Sequence, residues 1–112
     1  MDRPHPARMT VMAYHGVEIP RDRIEAFCRR VRIRRLALFG SILRDDFRPD
    51  SDVDVLVEFE AGARVGMIRL AGLEIELSEI LGRKVDLNTP GFLSPYYRER
   101  VLAEAQVQYD AT

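Results

Sequence analysis

Residues 52–59 read Asp-Val-Asp-Val-Leu-Val-Glu-Phe, and this alternation constrains the chain more than any other stretch. Successive side chains of a strand point to opposite faces, so Val53, Val55, Val57 and Phe59 line one face and Asp52, Asp54, Leu56 and Glu58 the other. Such a strand needs a layer over its apolar face, and two segments have the period to supply it. Pro20 followed by Ile24, Phe27, Cys28 and Val31 has the spacing of one buried helix face. Leu70, Leu73, Leu77, Ile80 and Leu81 make the stripe of a longer helix, with Gly82 at its C-cap. Residues 35–39 and 84–88 read as further short strands, and Ser94-Pro95 opens a last helix reaching to about Ala105. Helices and strands alternate, which predicts an α/β or α+β fold: a small mixed sheet of about three strands flanked by helices.

The 112 residues suit one domain, residues 1–112, with the proline-bearing stretch 1–10 as a loose tail. Hydrophobic content of 46% against 31% charged residues fits a soluble globular chain and excludes a disordered one. No apolar run has membrane length, and the first ten residues lack the core of a signal peptide. Cys28 is alone, so neither a disulfide framework nor a thiolate zinc site can be built; a cytoplasmic location is expected. The net charge of −1 excludes a globally basic nucleic-acid binder but not a local basic face, and no direct nucleic-acid contact is expected. Seven arginines between Arg21 and Arg35 read as a solvated helix face, with phosphate or acidic-partner contact as the alternative.

Asp52 and Asp54 raise the chemical question. With 18 acidic residues in 112, roughly three i, i+2 pairs arise by chance, and Glu58/Glu60 and Glu74/Glu76 are such pairs. On a strand, however, the two aspartates share a face about 7 Å apart at Cα. Like charges that close raise each other's pKa and oppose folding unless a cation offsets them. Oxygen-only ligands suit magnesium, which takes one or two carboxylates plus substrate phosphates. Asp86, flanked by the inward Val85 and Leu87, points to the opposite side with Lys84 and Asn88. If its strand lies beside the first, three carboxylates converge, and two metal ions about 3.5–4 Å apart would clamp an in-line displacement at phosphorus.

The corner at Gly40-Ser41 is the complement. Glycine lets a ligand approach the backbone closely. Ser41 to Asp46 has the length of about one and a half helical turns, whose first N–H groups, with the serine hydroxyl, would face an anion. The connection from Gly40 to Asp52 is short for a parallel crossover, so an antiparallel return would bring the corner beside the aspartates.

Gly40-Ser41, ten residues, then Asp52-Val53-Asp54 resembles the Gly-Ser-x10-Asp-x-Asp signature of the DNA polymerase β-like nucleotidyltransferase superfamily. Asp86 falls where that family carries its third carboxylate. With "RPDSDVDVLVEF" and "LGRKVDLNTP", the chain from about Ile24 to Tyr109 is similar to the minimal nucleotidyltransferases, antitoxins of HEPN–MNT toxin–antitoxin pairs. The resemblance implies a mixed sheet flanked by helices, ATP as substrate and Mg2+ as cofactor, two ions in number. It implies that Gly40 and Ser41 bind the triphosphate and that Asp52 and Asp54 ligate both metals. Asp86 would ligate the catalytic one and help to deprotonate the incoming hydroxyl. The implied activity is transfer of AMP to a tyrosine of a partner HEPN-family RNase toxin, which silences it. Two alternatives stand beside it: a non-catalytic antitoxin acting by occlusion, and a nucleotidyltransferase with a small-molecule or nucleic-acid acceptor.

Arg44, one turn after Ser41, is placed to reach a phosphate and joins Gly40 and Ser41 as a nucleotide-binding candidate. For Arg44 and Arg48 alike the competing reading is local pairing with Asp45, Asp46 or Asp50. His5 and His15 lie far in sequence from the motif and read as exposed or structural, and Tyr96 and Tyr97 as packing residues of the last helix.

Overall fold

The computed structural model describes residues 11–111; the loose tail expected over 1–10, and His5 with it, lies outside them. The chain enters through a hairpin, β1 (Val11–Tyr14) and β2 (Val17–Pro20), and continues into helix α1 (Arg21–Arg30) and strand β3 (Ile33–Phe39). A 3-10 turn (Gly40–Leu43) leads to β4 (Val53–Phe59), helix α2 (Met67–Leu81) and β5 (Val85–Asn88). Helix α3 (Pro95–Glu104) and strand β6 (Gln106–Asp110) complete the described residues.

The main sheet has the order β5-β4-β3-β6 and is mixed. Strand β3 pairs antiparallel with β4 and with β6, whereas β4 and β5 run parallel, joined by the α2 crossover that a parallel pair needs. Val53, Val55 and Val57 are fully buried against the stripes of α1 and α2, including Ile24, Phe27, Leu73 and Leu77. Burial of each such side chain contributes about 1.5–3 kcal/mol. Helix α2 ends where its stripe ends, because Gly82 takes the left-handed conformation (φ 69°) and donates its N–H to Ser78 O at 2.9 Å. On the other face of the sheet a smaller cluster of Phe39, Leu56 and Leu93 sits under Val101 of α3. Ser94 caps α3, its hydroxyl accepting the Tyr96 N–H at 3.3 Å. Among the described residues no helix is long and apolar enough to cross a membrane.

The structure corrects the sequence reading in four places. The sheet has four strands, not about three, because residues 106–110 form β6 on the free edge of β3. A separate hairpin, turning at His15-Gly16, precedes α1. The helix expected over Ser41–Asp46 is only the 3-10 turn, which buries Ile42 and gives way to extended backbone at Arg44. Tyr96 does not pack: it is 98% exposed.

Cys28 is a core residue, and burial pushes its thiol up to about 12, so it stays protonated and inert. The arginine run behaves as a solvated, ion-paired surface. Arg29 meets Glu25 at 2.6 Å, Arg30 pairs with Glu76, and Arg35 reaches Asp110 at 3.4 Å.

Candidate active site

The register of the sheet assembles the aspartates. Phe39 at the end of β3 lies opposite Asp54, so the chain leaves β3 into Gly40-Ser41 beside the start of β4. On the other flank Asp54 lies opposite Asp86, between the buried partners Val53–Val85 and Val55–Leu87. Alternation turns both carboxylates away from the valine core, and neighbouring strands are about 4.8 Å apart. Asp52 sits just before β4 and is exposed, as is Asp86; Asp54 is half-buried.

Negative charge is concentrated here and offset only in part by Arg44. Burial, then the negative charges of Asp86 and Asp52, push the Asp54 carboxyl up to about 6, while Arg44 and the Ser41 backbone N–H pull it back. Asp52, Asp54 and Asp86 form no ion pair among the described residues.

Gly40 is demanded by this geometry twice over. Its φ of 76° is left-handed, and a Cβ there would stand 2.2 Å from Asp54 Oδ2. The glycine that sequence reading reserved for a ligand's approach is thus already required by the protein's own carboxylate. Ser41 is half-buried beside it. The 3-10 turn is too short to build a helix dipole, so what the corner offers an anion is the serine hydroxyl and nearby backbone N–H groups.

Arg44 is exposed and reaches Asp46 at 3.4 Å, the local pairing weighed against phosphate contact. Its charge is nonetheless felt at Asp54. Arg48, by contrast, makes no ion pair among the described residues. Its backbone N–H donates to Ser51 Oγ at 2.9 Å, closing the turn before Asp52.

Sequence reading missed Arg83. From the loop between α2 and β5 its Nη2 donates to Arg48 O at 3.2 Å and Ser51 O at 2.7 Å, and its guanidinium lies 4.8 Å from the centre of the Phe47 ring. It pins the loop that presents Asp52. No sequence signal marked it, since one arginine in a turn looks like any other. His15, read as remote, packs its ring 5.5 Å from Phe47 and lines a cavity with Gly40 and Arg44. The His-Gly turn signal was legible; its destination was not.

As a metal site the arrangement is open. Among the described residues no group of three or more His, Cys, Asp and Glu side chains would hold an ion by itself. The donors nearest to that role are carboxylate oxygens with charge to spare, which fits a hard cation whose shell is completed by phosphate oxygens.

The nucleotidyltransferase domain family matches residues 21–107. A candidate protein adenylyltransferase of Methanocaldococcus jannaschii is 38% identical over 73 residues, 65% of this chain and 76% of its own. The protein adenylyltransferase MntA of Thermococcus cleftensis is 36% identical over 67% of this chain and 74% of its own. Among solved structures, a candidate minimal nucleotidyltransferase superposes with a TM-score of 0.63 at 39% identity, over 76% of this chain and 85% of its own. A toxin–antitoxin structure with AMP-PNP superposes with a TM-score of 0.67 at 20% identity, over 82% of this chain and 74% of its own, which is a likeness of fold.

Proposed function

The chain belongs to the nucleotidyltransferase family of enzymes, and from that premise we propose that it is a protein adenylyltransferase acting as an antitoxin. It transfers AMP from ATP to a tyrosine of a partner HEPN-family RNase toxin and so inactivates it. The observation that supports this reading is the register Phe39–Asp54–Asp86, which sets a Gly-Ser corner and two carboxylates side by side at one end of β3, β4 and β5. The relatives named protein adenylyltransferases support the reaction class. The neighbour solved as a toxin–antitoxin pair with AMP-PNP supports the nucleotide and the kind of partner. The partners read for this chain are therefore ATP and the toxin, with no membrane and no direct nucleic-acid role, in the cytoplasm.

Each residue then has a task. Ser41, with the backbone at Gly40, holds the triphosphate, and Arg44 swings from Asp46 to a phosphate oxygen. Asp52, Asp54 and Asp86 would hold Mg2+, which would supply charge to offset the phosphates and make the attacking hydroxyl more acidic. Asp86, exposed at the open edge, accepts the proton of the incoming tyrosine hydroxyl and passes it to water. The phenolic oxygen forms its bond to the α-phosphorus as the bond to the bridging oxygen breaks, and pyrophosphate leaves with the electron pair. Arg83 keeps Asp52 in place by holding the carbonyls of Arg48 and Ser51.

The test is direct. With Mg2+ and ATP, the purified protein should add the mass of AMP to a tyrosine of its co-encoded toxin, and Asp52→Ala or Asp54→Ala should abolish the adduct in mass spectrometry. A tight complex without any adduct would leave occlusion as the mode of action. Full modification by the double variant would sink the metal assignment.

A further inference from the structure

Strand β5 has only four residues, and among the described residues it has a strand on one side only. It carries Asp86, whose negative charge acts on Asp54 across the β4–β5 pair. Like charges on neighbouring strands oppose the pairing, so the position of Asp86 depends on what holds the open flank.

That flank is held by α2. Val85 and Leu87 are two residues apart, so their N–H groups point to the same edge of β5. The Val85 N–H donates to Ser78 Oγ at 3.0 Å and the Leu87 N–H to Glu74 Oε2 at 2.8 Å. The two spacings agree: one helical turn, Glu74 to Ser78, rises about 6 Å, and two strand residues advance about 6.6 Å. Ser78 Oγ gives its own hydrogen to Glu74 O at 2.8 Å, which leaves its oxygen free to accept from Val85. Glu74 brings a charged acceptor to an amide, the stronger kind of such bond. Asp86 lies between the two clamped amides. Arg83, just past the end of the same helix, holds the loop before Asp52.

We propose that Glu74, backed by Ser78, is a positioning residue for Asp86: from α2 it holds β5 where the Asp86 carboxylate can serve the same cation as Asp54. The inference rests on the adenylyltransferase reading above and deepens it, because it makes α2 the support of the metal-binding carboxylates.

Two measurements test it, with urea titration to confirm that each variant folds. One is hydrogen exchange of the Leu87 amide in metal-free protein. The other is AMP-PNP binding at stepped Mg2+ concentrations, which gives the Mg2+ requirement. Glu74→Ala should speed Leu87 exchange and increase the Mg2+ requirement about tenfold or more, the scale on which outer partners of metal ligands act. Glu74→Gln, which keeps an acceptor oxygen, should bring it back to within about threefold of the parent. Ser78→Ala should increase it by about 3- to 10-fold, the worth of one hydrogen bond, and decides the matter if Glu74→Ala does not fold. Glu76→Ala controls for a merely structural role: it breaks the pair of α2 with Arg30 and should leave the requirement within about threefold. Unchanged Leu87 exchange, a parent-like Mg2+ requirement in folded Glu74→Ala, or equal effects at Glu74 and Glu76 would each overturn the positioning role. If Asp54→Ala still removes the Mg2+ dependence in that case, the adenylyltransferase reading stands without it. If the parent protein shows no Mg2+-dependent AMP-PNP binding, both fall.

Discussion

At the exit of β4, Glu58 meets Arg34 at 2.6 Å and Arg35 at 3.6 Å, and Glu60 just beyond it meets Arg32 at 3.4 Å. At the entrance of the same strand, Asp52 and Asp54 meet no arginine at ion-pair distance among the described residues. The two i, i+2 pairs look alike in the sequence. Another such pair, Glu74/Glu76, is also satisfied, because Glu74 accepts the Leu87 N–H at 2.8 Å and Glu76 pairs with Arg30. The Glu58/Glu60 and Glu74/Glu76 pairs are thus met at close range by arginines or a backbone N–H, whereas Asp54 is offset only in part, by the charge of Arg44 and the Ser41 N–H. Like charge held together costs stability, which is the physical support for the cation proposed above.

The largest test of that contrast exchanges the chemistry of the two ends. Asp52→Asn or Asp54→Asn should lower the rate of AMP transfer by about 1,000-fold or more in a quench assay, as loss of a metal-binding group does. Glu58→Gln should leave the rate within about threefold, so equal losses at both ends would dissolve the distinction.

Next in size is Gly40→Ala, which must relieve both a left-handed φ and a 2.2 Å approach to Asp54 Oδ2. It should destabilise the protein by about 1–3 kcal/mol in urea titration and remove activity with it. Gly40→Ala combined with Asp54→Gly should regain part of that stability and none of the activity.

Arg83→Met keeps an unbranched apolar side chain but deletes the guanidinium over Phe47 and its two hydrogen bonds to the Asp52 loop. A decrease of about 10- to 100-fold in activity, with an increased Mg2+ requirement and little change in melting temperature, would sharpen its positioning role. A purely structural arginine would move the melting temperature instead.

The smallest effect has the opposite sign. In metal-free protein burial and the neighbouring carboxylates push Asp54 up to about 6, from the ordinary 3.8, so the folded state binds a proton more tightly than the unfolded state. That contribution to stability is complete below the unfolded pKa and is lost as pH rises through about 6. Asp54→Asn should therefore stabilise metal-free protein at pH 7 by about 1 kcal/mol, after allowance for solvent screening, and the gain should vanish near pH 4. Glu58→Gln should instead destabilise by up to about 1 kcal/mol at pH 7, because it breaks a half-buried ion pair. Thermal melts at the two pH values read both signs.

Much of this was legible in the residues because it is local. The period of two in residues 52–59 and the helical stripes of α1 and α2 follow from where each side chain must point, and the Ser94-Pro95 and Gly82 caps follow from short-range hydrogen bonding. The antiparallel return to Asp52 was also readable, since a short connection permits little else. The hairpin and β6 carried weaker signals, a His-Gly turn and the alternation of Val107 with Tyr109, in segments too short to declare a partner. The 3-10 turn replaced a helix because Ile42 had to reach the core within one turn of Gly40.

By itself, then, the sequence determined which faces are apolar, where helices stop, and that Asp52, Asp54 and Asp86 turn from the core, for each depends only on neighbours within a few residues. Tertiary structure alone decided that Asp54 stands level with Asp86, that Arg83 holds the Asp52 loop and Arg34 the Glu58 end, and that His15 comes to lie beside the Gly40-Ser41 corner. Those are pairings between distant segments, chosen by the joint burial of a whole core, and no local pattern carries them.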